Sequence, residues 1–490
     1  MSGTAVALDI MVAIVALGSG IGFFAAKRSQ PNLEQWAVAG RGLGLLLVWI
    51  LLAGETFTAF SVLGISGWIY SRGGPTLYVL AYLTLGQCVI FFFAPPLWEH
   101  GRRHGLQTIG DFFRKRYESQ ALAAVVSLAG VVFLVIYLQL QLTSLGIIVE
   151  VASSGGVARL PAMVVSTVVV AGFVLTSGIR GIVWVSVLKD FLLVVIAGVV
   201  GIGIPYLRFG GIGRMFDALL SSMPGHFTMP GATINYGHSW FITTVLVNSL
   251  VLPWPHFFAS MYTAKSGDTL RRNAVIMPFY LLPLLLIIFA GSAAILLVPG
   301  LKNGDLALLA VVKSTFPPWV LGVIGGAGAL TAMVPASVQI LTASTLVAKN
   351  VYCPAFAPSM SARGIGIVAR IAVVFVTVFA LFLAAHSSTT LVGLLILAYS
   401  GVAQFAPGII LGMCSPKVGT AGVMSGLLVG LSVTGLLVFT GNDPFRGMNA
   451  GFVGLVPNVA LVGAAALIFP SKRSGFDVSE TRSAGAALSP

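Results

Sequence analysis

The chain has 490 residues, 57% of them hydrophobic and only 8% charged, with a mean hydropathy of +0.99. A water-soluble domain carries about 25% charged residues, and membrane barrel strands are ~10-residue stretches of alternating polarity; long apolar runs with so little charge leave a polytopic helical membrane protein. The net charge of +13 does not mark a nucleic-acid binder, because the basic residues lie in small clusters between apolar runs. Cys88, Cys353 and Cys414 show no spacing of a disulfide framework or metal site.

In chain order the apolar pattern predicts thirteen spans, near 4–26, 43–70, 75–98, 121–149, 158–176, 181–206, 237–260, 274–299, 319–348, 365–385, 389–413, 418–440 and 450–470. The opening MSGTAVALDI has no basic n-region and no clear cleavage site, so it reads as the start of a retained first helix. Span 2, LLAGETFTAFSVLGISGW, holds Gly54, Gly64 and Gly67, a carboxylate at Glu55, and the hydroxyls of Thr56, Thr58 and Ser61. An intramembrane carboxylate is a functional candidate by default, with a protonated structural carboxyl as the alternative. TIGDFFRKRY (108–117) mixes aromatic and basic residues, as a helix lying on the inner leaflet would. Span 4 carries Gln139 and Gln141, and span 11 carries Gln404; such amides are more often bonds between helices than ligands. Gln404 is nevertheless a substrate-binding candidate.

Span 6 contains Ser186, Lys189 and Asp190. Lys189 lies eight residues past Gly181, about 12 Å deep at 1.5 Å per residue. Two readings stand: a lysine that snorkels to the interface, or a functional amine in the core. Asp190 is ~100° further round the helix and is expected to pair with the inner loop or another helix, not with Lys189. IGRMFDALLSS (212–222) has an apolar face and is an outer interfacial helix. Span 7, VNSLVLPWPHFFASMY, brackets Trp254 with Pro253 and Pro255, and His256 follows. Proline removes a backbone donor and clashes with the preceding turn, so spans 2 and 7 are both expected to be broken. Trp254 and His256 join Glu55, Thr56 and Thr58 as substrate-binding candidates. Broken helices at matching places in two inverted repeats are a transporter signature; spans 2 and 7 open two five-helix sets, 2–6 and 7–11.

Orientation follows from the 27 basic residues. With the N-terminus outside, nineteen fall on inner segments, seven on outer ones, and Lys189 is left within a span. The expected location is a cell membrane of the bacterial inner-membrane type, multi-pass, with the C-terminus cytoplasmic. Residues 1–470 are expected to form one transmembrane domain, and the polar stretch 471–490 to be a disordered cytoplasmic tail.

Three motifs resemble the sodium:solute symporter family: TSGIRGIVWVSVLKDFLL (176–193), WPHFFASMYTAKSGDTLRRNAVIMPFY (254–280) and ALTAMVPASVQILTASTLVAKNVY (329–352). The resemblance runs over nearly the whole chain; the Lys-Asp pair and MVPAS are most similar to the monocarboxylate permease branch. It implies a leucine-transporter-type 5+5 inverted-repeat core within an all-α polytopic protein. It also implies a sodium site between span 2 carbonyls and two adjacent hydroxyls in span 9, which here fall on Val334 and Pro335, without a side-chain oxygen. The family's sixth-helix aspartate falls on Ser186 and its glutamine on Lys189. Gly54 and Phe57 carbonyls with Ser337 remain as weak ligands, and Lys189 is placed to stand where sodium would be.

No HExxH, GxSxG, Cys/His metal spacing or phosphate loop is present, so an enzyme is not expected. The expected function is symport of short-chain monocarboxylates such as pyruvate, lactate, acetate or propionate by alternating access, coupled to H+ or Na+, with no cofactor or bound metal. The alternative is a sodium-driven symporter of another small solute such as an amino acid. The expected partners are that substrate and the lipid bilayer.

Overall fold

A computed structural model describes residues 3–26, 36, 39–231 and 235–471. Of the expected tail, 472–490 fall outside the described residues. The described residues are helical throughout, apart from loops and two isolated bridges. Inside hydrocarbon each backbone N–H must bond within its own segment, and a helix does this locally.

The N-terminal half begins with α1 (Gly3–Ala26). Then come α2 (Leu45–Thr56) and α3 (Ile65–Arg72), the latter entered through a π-helical turn at Phe60–Gly64. Next are α4 (Tyr78–Arg103), the short α5 (Ile109–Tyr117) and α6 (Gln120–Ala152). α7 (Arg159–Gly198) continues through Val199–Gly203 and Ile204–Phe209. Within α7, Gly178 has φ 56° and ψ −165°, a conformation open to glycine, and it divides the run into two segments. α8 (Ile212–Ser222) is the predicted amphipathic helix, with Met215 and Leu219 buried.

The second half holds α9 (His238–Asn248), α10 (Pro255–Met261), α11 (Gly267–Ile276) and α12 (Leu281–Leu297). It continues with α13 (Ala307–Thr315), α14 (Pro318–Leu346) and α15 (Ala362–His386). α16 (Leu391–Val402), α17 (Ala406–Cys414), α18 (Thr420–Phe439) and α19 (Ala450–Ile468) complete it. Among the described residues ten helices are long and apolar enough to cross a membrane, or eleven if the bent pair α2–α3 is one span. That count takes Arg159–Phe209 once and omits the short pieces α9 and α10.

α14 is the central post, packed by α1, α6 and α7 and buried almost throughout. Exposed apolar side chains such as Phe191, Phe375 and Phe379 cover the lipid-facing perimeter. One prediction needs correcting here. α5 does not rest its aromatic residues on the bilayer: Phe112, Phe113 and Tyr117 are buried in the protein. Their apolar rings find a better partner in the ends of the neighbouring helices. Tyr117 Oη donates to Gly408 O at 2.5 Å, and Arg116 donates to Gly412 O and Ser415 O at 2.8 and 3.0 Å, at the end of α17.

Candidate functional site

The first break separates α2 from α3, which meet at 57°. Phe57 N still bonds to Ala53 O at 2.8 Å, and the helix then stops. Thr58 restarts it, its Oγ1 accepting from Phe60 N at 3.2 Å. Thr56 Oγ1 donates to Leu52 O of its own helix at 2.8 Å. Stopping there frees the carbonyls of Gly54 and Phe57. In an apolar interior such groups cost several kcal/mol each unless bonded.

Lys189 of α7 bonds both. Its Nζ donates to Gly54 O at 2.8 Å and to Phe57 O at 2.7 Å, and lies 3.0 Å from Asp190 Oδ1. An ammonium has three N–H donors and no acceptor; here Nζ donates to two carbonyls, and Asp190 Oδ1 lies within ion-pair distance. The side chain is fully buried. It does not reach the interface, so the snorkelling alternative does not describe this structure.

The expectation that Asp190 pairs elsewhere is also corrected. Consecutive Cβ atoms diverge by ~100° on a helix, but four methylenes let the lysine stem curl back once its amine is anchored. The Tyr280 hydroxyl neighbours Asp190 as well.

Around this knot, Ser186 and Val334 pack directly against Gly54. A Cβ there would meet Ser186 Oγ at 2.9 Å and Val334 Cγ1 at 3.6 Å, so the close approach requires glycine. Val334 of α14 thus presents a methyl carbon to Gly54. Ser337 Oγ donates to Met333 O at 2.7 Å, and Ser186 Oγ to Ile182 O at 2.9 Å, each within its own helix.

The second break lies between α9 and α10. A residue before proline is pushed out of the α region, and Trp254 has φ −60° and ψ 123°. Pro255 then takes the first helical position, where its missing N–H costs nothing. Glu55, at the end of α2, accepts a hydrogen bond from Ser260 of α10. Its Oε2 is buried without a hydrogen-bond partner among the described residues. Tyr137 of α6 bridges the two breaks. Its hydroxyl neighbours Thr58, and its ring centroid lies 5.0 Å from Trp254 and 5.8 Å from His256. Glu55, Thr58, Trp254 and His256 are all buried here, and Thr56 is partly exposed.

Gln404 is not brought to this place. Its Nε2 donates to Ser400 O at 3.1 Å and to Gly451 O at 2.9 Å, and its Oε1 accepts from Asn458 at 3.1 Å, so it ties α16 and α17 to α19. The substrate-binding expectation for Gln404 is therefore corrected to a bond between helices. Gln141 differs in the opposite sense: both its amide atoms are buried without a partner among the described residues, so it bonds no neighbouring helix. It sits one turn beyond Tyr137, on the same helical face.

Sequence reasoning missed Tyr137, Asn248, Ser260 and Tyr280. Asn248 carried a readable signal, since it comes just before the proline pair; in the structure it ends α9, and its amide atoms lack partners among the described residues. Among the described residues no group of three or more His, Cys, Asp or Glu is placed to hold a metal ion.

Comparison with known proteins bears on this geometry. The profile described as "Sodium:solute symporter family" matches residues 36–430. The uncharacterized symporter YhjB of Bacillus subtilis (strain 168) is 36% identical over 482 residues, 96% of this chain and 98% of that protein. A monocarboxylate transport permease protein of Rhizobium johnstonii is 25% identical over 496 residues, covering 96% and 98%. The solved structure of a Na+-coupled sialic acid symporter superimposes with a TM-score of 0.78 at 16% identity, covering 96% of this chain and 99% of that one. A chain that breaks two helices around a buried cation and matches on sequence and fold along nearly its whole length belongs to the sodium:solute symporter family, a multi-pass membrane transporter of leucine-transporter-like fold and not an enzyme.

Proposed function

We propose that this chain is a proton-coupled symporter of short-chain monocarboxylates such as pyruvate, lactate, acetate or propionate. The observation that carries the reading is the Lys189 amine on the Gly54 and Phe57 carbonyls, with Val334 packed against Gly54. Sodium needs several hard oxygen ligands, as hard cations do. Here two of the available oxygens already hold a cation that is covalently part of α7. A tethered cation carries no gradient energy, so the drive passes to a proton. Lys189 and the half-bonded carboxyl of Glu55 are the groups that exchange it. When the break between α2 and α3 rearranges, the amine loses its acceptors and releases its proton, and the site resets when they return.

Substrate binds beside this knot, between the two breaks, where Thr58, Tyr137, Trp254 and His256 gather; the amides of Asn248, at the end of α9, and Gln141, one turn beyond Tyr137, are without partners among the described residues. A small carboxylate suits amide and imidazole N–H donors, and similarity to a monocarboxylate permease along 96% of this chain favours it. The architecture we propose has thirteen crossings, with Arg159–Phe209 counted as two at Gly178 and α9–α10 as one broken span. Spans 2–6 and 7–11 are then the inverted repeats. The face bearing α5 is cytoplasmic, which puts nineteen of 27 basic residues inside.

Uptake of labelled pyruvate, lactate, acetate, propionate and proline into proteoliposomes tests this under imposed proton or sodium gradients. The expected result is carboxylate uptake driven by an acid exterior and unchanged when potassium or choline replaces sodium. Steep sodium dependence, or proline uptake alone, overturns it.

A further inference from the structure

On the face opposite α5 a cavity of about 530 Å³ opens between α3, the first residue of α7, α9, the start of α16 and the 302–305, 387–390 and 443–444 segments. Three cations line it, Arg72, Arg159 and Lys302. They are three of the seven basic residues that the charge pattern assigns to that face. None has a carboxylate oxygen within salt-bridge distance among the described residues. Arg72 is steered by the Tyr236 ring, its guanidinium 4.4 Å from the centroid.

The two acids of the cavity are engaged elsewhere. Asp305 Oδ2 accepts from Leu391 N at 3.2 Å and Asp443 Oδ1 from Ala450 N at 3.0 Å, each at the start of a helix. Burial also pushes the Asp305 carboxyl up to about 6, against the pull of the Leu391 N–H and Arg159. The cavity is therefore lined by more positive than negative charge, and its negative groups are turned into the protein.

Its floor is aromatic. Trp68 and Trp240 line it, with ring centroids 5.4 Å apart. From there Tyr78, Tyr82, Tyr399 and Trp254 follow at steps of 5.2, 5.6, 5.6 and 5.0 Å. His256 closes the series, 5.1 Å from Trp254. A column of buried rings thus separates the cationic cavity from the second helix break.

We propose that this cavity is a capture site for small organic anions. A carboxylate docks at Arg72, Arg159 and Lys302 before the aromatic column parts and admits it to the breaks. The inference rests on the carboxylate reading given above. A cleft lined by one sign of charge concentrates the opposite ion and raises its rate of arrival by 10- to 1,000-fold. The gain falls on the affinity at low substrate, not on the turnover step, and salt screens it.

The test places one cysteine at Ser388, on the cavity wall, in a background with Cys88, Cys353 and Cys414 replaced. Modification rates by membrane-impermeant anionic and cationic methanethiosulfonates are compared in proteoliposomes. The expected result is faster anionic labelling, loss of that bias in the Arg159→Gln and Lys302→Gln double variant, and slowing by pyruvate. The same double variant, with Ser388 intact, should raise KM for pyruvate roughly tenfold with maximal rate retained; Arg159→Lys should restore most of the affinity. Equal labelling by the two reagents overturns the proposal. So does a bias that pyruvate leaves untouched in protein that transports pyruvate. The labelling needs no transport, so a charge bias in a chain that moves no carboxylate keeps the anion vestibule and overturns the substrate reading instead.

Discussion

At the scale of single residues, the Lys189 ammonium is held by two carbonyls and a carboxylate. Lys189→Ala leaves all three without their cation, and removing one partner of a buried pair costs about 3–5 kcal/mol. We expect a lower melting temperature in detergent and no concentrative uptake. Removing Asp190 as well should return part of that stability, because no unpaired charge is then left buried. Lys189→Arg keeps the charge but cannot lose its proton at neutral pH, so uptake should fail although the protein inserts. Full activity in that variant would remove the proton-switch reading. Glu55→Gln keeps an acceptor for Ser260 and cannot ionise. Gradient-driven uptake should fall while substrate counterflow, which needs no net proton movement, is less affected. Equal loss in both assays would point to a substrate ligand.

At the scale of elements, α5 is a clamp on the basic face. Asp111, in its first turn, accepts from Lys349 at 2.7 Å, Asn350 at 3.0 Å and the Gln107 N–H at 3.0 Å. It thereby joins α5 to the π-helical end of α14, Val347–Tyr352. Burial opposes ionisation of this carboxyl, and the Lys349 ammonium with the donors around it outweighs burial, holding it below the usual carboxylate range. Its stabilising contribution is therefore complete above the ordinary aspartate value of about 3.9 and is lost as pH falls through the lowered one. Melting should be independent of this group from pH 5 to 8, and Asp111→Asn should cost stability throughout that range. A variant as stable as the parent would show that the clamp is not under load. The breaks in spans 2 and 7 were legible because glycine and proline act through the backbone, which sequence encodes directly. The burial of α5 was not, because an aromatic and basic face suits a lipid surface and a helix-end socket equally well. Asp190 was misread because the angle between neighbouring Cβ atoms says nothing of where a four-methylene stem ends. Gln404 was misplaced because only the tertiary packing of α19 tells which way that face of the helix turns.

At the scale of the whole molecule, the two faces are sealed by different chemistry. On one, Arg41 donates to Leu106 O at 2.6 Å and Trp98 Nε1 to Ala264 O at 3.1 Å, beside the Asp111 clamp. On the other stands the column of rings. The cation inside belongs to the polypeptide, and this has a bioenergetic consequence. In the proposed cycle a monocarboxylate enters with one proton, so the loaded carrier moves no net charge, and the empty carrier returns with a neutral amine. Membrane voltage then does no work on either half of the cycle. Accumulation is limited by the pH difference alone, tenfold for each unit, or about 1.4 kcal/mol. Proteoliposomes clamped at different potassium diffusion potentials, at a fixed pH difference, should reach the same internal pyruvate concentration. A plateau that climbs with an interior-negative potential would mean that a second cation crosses with every substrate.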